Sequence, residues 1–236
     1  MRDRLMTRAA EMGIPMSAAQ AEKFAVFHEM LAKANARTNL TRVPDDENEA
    51  VDRNYLDSIS LLADKLPTGT RALVDVGAGA GFPGIPLSIM LPEIEVTLLD
   101  SLGKRVDFMK SAVAALGLNA RAVNMRAEEA GRAPGLREAF DVAVSRAVAP
   151  LSVLAEFALP LLRVGGLMVA YKGPAWQAER AQAENALAAL GGRFLSARDA
   201  NVPGRDWAHV LLRIEKAAET PEKYPRRPGV PEKRPL

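Results

Sequence analysis

The chain of 236 residues has no cysteine. That absence excludes disulfides, thiolate metal sites and any cysteine nucleophile. Histidine is almost as scarce, with only His28 and His209. A histidine-rich metal centre is not expected, and no metal is assigned. Long apolar runs are missing too. The longest uncharged stretch, Val76 to Pro92, is broken by four glycines and three prolines, so no membrane span is read there. The opening MRDRLMTRAAEMG lacks the apolar core of a secretory signal. Together with the missing cysteine, this fits a reducing cytoplasm, where the protein is expected to act. Hydrophobic content of 48% and charged content of 25% are ordinary for a globular chain.

The net charge of +2 is unevenly spread. Residues 216–236 hold six basic and three acidic side chains, which leaves the rest of the chain at −1. A basic, proline-rich end suits a polyanionic partner, with Arg226 and Arg227 as candidate phosphate contacts. The competing expectation is an extended segment packed on the body, held open by Pro225, Pro228, Pro231 and Pro235.

Three regions are expected: a helical extension over 1–66, an α/β domain over 67–215, and the basic tail over 216–236. In the first, Ser17-Ala-Ala-Gln20 reads as a capping box, with Phe24, Phe27, Met30 and Leu31 at helical spacing. A loop from Asn39 to Pro44 precedes a second helical stretch over 45–65. Beyond it, strands are expected near 71–76, 94–99, 120–124, 140–145, 166–171, 193–199 and 207–214. Helices are expected over 85–91, 103–116, 150–162 and 175–190. This order implies a seven-stranded, mostly parallel sheet covered on both faces, closed by an antiparallel hairpin through Asn201–Gly204.

The most informative stretch is Leu73 to Ile89, LVDVGAGAGFPGIPLSI. A short buried strand runs into Gly77, Gly79 and Gly81, and an apolar helix follows. Strand, glycine turn and helix bring backbone N–H groups up to a nucleotide-like ligand. Glycine permits positive φ and leaves no Cβ against a flat ligand. Gly79-Ala-Gly81-Phe-Pro-Gly84 formally matches the dinucleotide pattern GxGxxG. Pro83, however, removes an N–H donor that a pyrophosphate would want. Gly77-x-Gly79-x-Gly81 after Asp75 instead resembles the first motif of class I S-adenosylmethionine (SAM) methyltransferases. The bland alternative is a tight turn that binds nothing.

Other candidates sit at expected strand ends. Asp100 could accept both ribose hydroxyls of a ligand, or cap the helix near Gly103. Arg126, Ala127 and Glu128 follow the third strand, where they could flank an adenine or simply start a helix. Ser145-Arg146-Ala147-Val148 closes the fourth strand, where methyltransferases hold the acceptor. It is not the [DNS]-P-P-[FYW] tetrapeptide of amino-methylating enzymes, and pyrimidine carbon methylation often needs a cysteine. A lone-pair acceptor such as guanine N7 remains; it carries no proton, so no general base is required and no catalytic residue is assigned. Arg146 could touch guanine, phosphate or cofactor. Arg53, Lys104, Arg105, Tyr171 and Lys172 are candidate RNA contacts, against the alternative of solvated faces and strand ends.

The ordered set of motifs resembles the RsmG (GidB) family of bacterial 16S ribosomal RNA guanine-N7 methyltransferases. It includes Asn39-Leu-Thr41, Arg53-x-Tyr-Leu-Asp57-Ser58 and Val74 to Pro86. It continues through Leu99-Asp100-Ser-x-x-Lys104-Arg105, Arg126-x-Glu128-Glu129, Ser145-Arg146-Ala147 and Tyr171-Lys172-Gly173, and ends with Tyr224 to Leu236. The resemblance implies a class I SAM-dependent methyltransferase (Rossmann-like) fold, with S-adenosyl-L-homocysteine as product. It places Gly77, Phe82, Ala127, Glu128 and Arg146 on cofactor-contact positions. It implies a guanine in the decoding-region loop of 16S rRNA as target, on naked RNA or the small ribosomal subunit, and a monomer is expected. An NAD-type oxidoreductase, a small-molecule methyltransferase and a non-enzymatic RNA-binding protein are the competing readings.

Overall fold

The computed structural model describes residues 1–38, 40–41, 44 and 46–236. Asn39 of the first motif, Arg42 and Val43 of its loop, and Asp45 at the start of the second expected helical stretch lie outside the described residues. The chain opens with α1 (Arg2–Glu11) and α2 (Ala18–Thr38). The expected capping box starts α2: Ser17 N–H donates to Gln20 Oε1 at 2.9 Å, and Gln20 N–H to Ser17 Oγ at 3.2 Å. A third helical run changes pitch along its length. It passes from α3 (Glu47–Ala50) through a π-helical stretch, Val51–Leu56, into α4 (Asp57–Ile59) and a 3-10 turn, Ser60–Ala63. Such π-insertions are costly and tend to sit at functional sites. This one carries buried Asp52 and Asn54, with buried Asp57 directly after it.

The seven strands are β1 (Ala72–Val76), β2 (Glu95–Asp100), β3 (Ala120–Asn124), β4 (Phe140–Arg146), β5 (Leu162–Lys172), β6 (Gly192–Asp199) and β7 (Val210–Lys216). Their order is β3-β2-β1-β4-β5-β7-β6, with β7 antiparallel to both neighbours and the other pairs parallel. The remaining helices are α5 (Gly84–Met90), α6 (Gly103–Leu116), α7 (Ala127–Ala130), α8 (Leu151–Ala158), α9 (Trp176–Gln182), α10 (Glu184–Leu190) and α11 (Val230–Lys233). Alternate strand residues feed two cores. Leu73, Val142 and Val144 pack with α2, α5 and α6 residues on one face; Val74, Val76 and Ala143 pack with α8 and α10 residues on the other.

Several element bounds depart from expectation, and β7 runs over Val210–Lys216 rather than 207–214. The helix expected over 150–162 stops at Ala158, and β5 begins at Leu162 rather than 166. Pro160 cannot donate to a helical ladder, and it sits in a 3-10 turn instead. The helix expected over 175–190 is two, separated at Ala183.

The helical extension is not a separate body. Phe27 and Tyr55 pack on Phe82 with ring centroids 5.4 and 5.8 Å away, joining α2 and the π-helical stretch to the glycine loop. The tail is also packed. Lys216, assigned to it from sequence, completes β7 and is fully buried. Its ammonium donates to Leu159 O at 2.7 Å and to Thr220 Oγ1, and burial lowers its pKa to about 8. Arg132 donates to Pro225 O at 2.7 Å, and Arg137 to Thr220 O at 2.7 Å and Tyr224 O at 3.0 Å. The basic side chains of the body hold the carbonyls of the tail, which is the extended, packed path.

Candidate active site

The C-terminal ends of β1, β2 and β4 converge on the glycine loop. Gly77 and Gly79 both take positive φ, +74° and +60°. Gly77 N–H donates to Leu99 O at 2.9 Å, and Gly79 N–H donates to the Asp100 carboxylate at 2.9 Å. The other Asp100 oxygen accepts from Leu102 N–H at 2.9 Å. Asp100 therefore braces the loop before α6, while Leu102 holds the N-cap position. A Cβ on Gly77 would stand 2.6 Å from Val148 Cγ2, so the position is close-packed as well as left-handed.

The start of α5 is closed to a pyrophosphate. Its first N–H, from Gly84, donates to Asp75 Oδ2 at 2.7 Å, and Pro83 has none to offer. Asp75 is fully buried, and its Oδ1 has no hydrogen-bond partner among the described residues. Burial raises its pKa to about 7, against the opposing pull of the Gly84 N–H and Arg146.

Two cavities meet at Ala147 and Val148, which line both. The smaller, about 320 Å³, is walled by Gly77, Asp100, Arg105, Ala127, Glu128 and Glu232, among others. The larger, about 770 Å³, is walled by Arg53, Asp57, Arg146, Tyr171, Lys172 and His209, among others. Arg146 thus lines the larger cavity, not the smaller one with Gly77. Its guanidinium donates to Asp57 Oδ2 at 2.9 Å and lies over the Phe82 ring at 5.1 Å. Phe82 is buried beneath it and lines neither cavity.

The candidate RNA contacts divide. Arg53 is half exposed, pairs with Glu49 at 2.6 Å, and lies over Trp207. Lys104 is exposed on α6, Arg105 lies 3.6 Å from Asp100, and Arg227 is exposed in the tail. Others are engaged internally. Tyr171 is buried in the wall of the larger cavity and donates its hydroxyl to Ser58 O at 2.6 Å. Lys172 donates to Ala149 O at 2.6 Å and pairs with Glu179 at 2.7 Å. Arg226 clasps the fully buried Glu156 through Nε at 2.9 Å and Nη2 at 2.6 Å.

The profile described as rRNA small subunit methyltransferase G matches residues 20–205. The chain belongs to that family. It is 43% identical over 230 residues to Ribosomal RNA small subunit methyltransferase G of Lactobacillus johnsonii, covering 96% of each chain. It is 44% identical over 230 residues to the protein of that name from Pelotomaculum thermopropionicum, covering 97% of this chain and 95% of that one. Among solved structures, the cofactor-bound Rv0187 from MTB aligns with TM-score 0.58 at 18% identity, over 84% of this chain and 91% of that one. The [4+2]-cyclase SpnF aligns with TM-score 0.55 at 16% identity, over 86% and 97%. These two establish the fold alone; that one of them is a cyclase shows that the fold does not by itself fix the reaction.

Two residues of the larger cavity, Asp57 and His209, carry no functional signal of their own in the sequence beyond a shared motif and a scarce imidazole. Asp57 is nearly fully buried, accepting from Arg146 on one oxygen and contacting His209 Nδ1 at 2.9 Å on the other. Residues 57, 146 and 209 are far apart in sequence, and no spacing rule links them. Among the described residues, no group of His, Asp and Glu is arranged to hold a metal, and no helix is long and apolar enough to cross a membrane.

Proposed function

We propose that this methyltransferase moves the methyl group of SAM to N7 of a guanine in the decoding-region loop of small-subunit ribosomal RNA. The observation that carries the reading is the pair of cavities sharing Ala147 and Val148, one beside the glycine loop and one beside Arg146. The residues of the smaller cavity suit SAM. Gly77 brings bare backbone to the cavity wall, Asp100 offers acceptors to ribose hydroxyls, and Ala127 N–H with the Glu128 carboxylate can read an adenine edge. SAM supplies an electrophilic methyl on a sulfonium.

The work of the protein is then positional. Guanine N7 has a free lone pair, so holding the base in the larger cavity with N7 facing the shared wall is sufficient. Arg146 is pinned by Asp57 and Phe82, a fixed donor beside the acceptor. The cation of a methylated guanine is better stabilised by acceptors than by donors, and Asp57 and Glu179 both belong to this cavity. The expected setting is the cytoplasm, with ribosomal RNA as partner. Mapping N7-methylguanine in small-subunit RNA after incubation with SAM, with and without the protein, tests the reading. Methyl transfer to another atom, or none at all, would refute it.

A further inference from the structure

The ring of His209 is fixed from two sides. Its Nδ1 lies 2.9 Å from Asp57 Oδ1, and its face packs against Trp207 with centroids 5.5 Å apart and planes tilted by 37°. Trp207 is itself held by Arg53 and Arg205, whose guanidinium carbons lie 5.0 and 5.2 Å from its ring centre. Asp57 is held by Arg146, and Arg205 by the fully buried Asp52 at 2.8 Å. A side chain locked this way has lost its rotamer freedom before any ligand arrives. His209 nevertheless remains about two-fifths exposed and lines the larger cavity, while taking no part in the smaller one.

We propose that His209 is the residue that reads the target guanine, accepting a hydrogen bond at Nε2 from guanine N1–H. This rests on the guanine-N7 reading above. A carboxylate accepts, so the contact with Asp57 places the ring proton on Nδ1. Nε2 of the neutral ring then carries a lone pair, and it has no hydrogen-bond partner among the described residues. Guanine presents N1–H as a donor on the edge away from N7. A base whose N7 faces Ala147 and Val148 therefore turns N1–H toward the rest of the larger cavity, the part that His209 lines. Adenine has a lone pair at N1 and would meet another lone pair, so the same contact rejects it.

The contact also strengthens as the reaction proceeds. Methylation makes the purine cationic and its N1–H a better donor. A fixed acceptor then gains more in the transition state than in the ground state. No proton leaves the base, and the S–C bond breaks as the N7–C bond forms. His209 touches the substrate without joining in bond making.

The test uses small-subunit RNA carrying guanine or inosine at the target, with methyl transfer and SAM binding measured separately. Inosine keeps N1–H and lacks only the 2-amino group. His209→Ala is expected to lower kcat/KM about 10–100-fold, mainly in kcat, on both RNAs and by the same factor. Its SAM affinity and melting temperature should stay close to wild type. His209→Gln, whose amide oxygen can accept, should recover much of the loss. A His209→Ala enzyme within about threefold of wild type would overturn the proposal. So would a loss matched by an equal loss of SAM binding, or one seen with guanine and absent with inosine. If the wild-type protein makes no N7-methylguanine, the functional reading fails first and the proposal with it.

Discussion

Removing the Arg226 guanidinium tests what the tail is for. Glu156 lies fully buried on α8, held by Arg226 Nε and Nη2 and by the Arg226 backbone N–H at 2.7 Å. The ion pair holds the Arg226 pKa above its usual value. In Arg226→Ala the carboxylate keeps only the backbone donor. Breaking a buried pair from one side costs about 3–5 kcal/mol. The surviving N–H and the partial exposure of Arg226 favour the lower end, about 3 kcal/mol. For a chain of this size that lowers the melting temperature by roughly 6–12 °C. Glu156→Gln should destabilise the wild type but recover stability in the Arg226→Ala background, because it removes the orphaned charge. SAM binding should weaken as well. The strap continues to Gly229, whose N–H donates to Glu128 at 2.8 Å in the wall of the smaller cavity. The assays are thermal melts, calorimetry with SAM, and filter binding of RNA across a salt series. An unchanged melting temperature, with a log–log salt slope flattened by about 0.7–0.9, would refute the reasoning and make Arg226 a phosphate contact.

Three further outcomes are expected. Gly77→Val forces a branched side chain into a left-handed position already crowded by Val148, and SAM affinity should fall at least about tenfold, or ~1.4 kcal/mol, by calorimetry; unchanged binding by a folded variant would move the cofactor elsewhere. Asp100→Ala removes the acceptor of the Gly79 and Leu102 N–H groups, and should weaken SAM more than an analogue lacking the ribose hydroxyls; equal weakening would leave Asp100 a purely structural brace. Asp75 takes up a proton on folding between its unfolded pKa of 3.8 and its folded value of about 7, so it costs stability as pH rises through that window, by about 4 kcal/mol at most. Asp75→Asn should therefore gain on wild type between about pH 4 and 7 in denaturant melts, and a constant difference across that range would contradict the raised pKa.

What could be read from the sequence was local or periodic. The apolar run Leu73–Val76, the three glycines after it, and the acid closing β2 declare a parallel strand, a left-handed turn and a ligand edge, because each depends on neighbours within a few residues. The capping box at Ser17 and the succession of seven strands along the chain are legible for the same reason. Charge was legible as a number and misleading as a place. The basic residues of the tail suggest a polyanion, yet Lys216 and Arg226 spend their charge inside the protein, on Leu159 O and Glu156. Composition cannot say which cation faces solvent, since that depends on which buried acid or carbonyl the folded chain brings to it. The same limit hid the acceptor side of the site. Asp57 comes from just after a π-helical stretch, Arg146 from the end of β4, and His209 from just before β7. Their meeting depends on the packing of the helical extension onto the sheet through Phe27, Tyr55 and Phe82, a long-range contact set that only the tertiary structure decides.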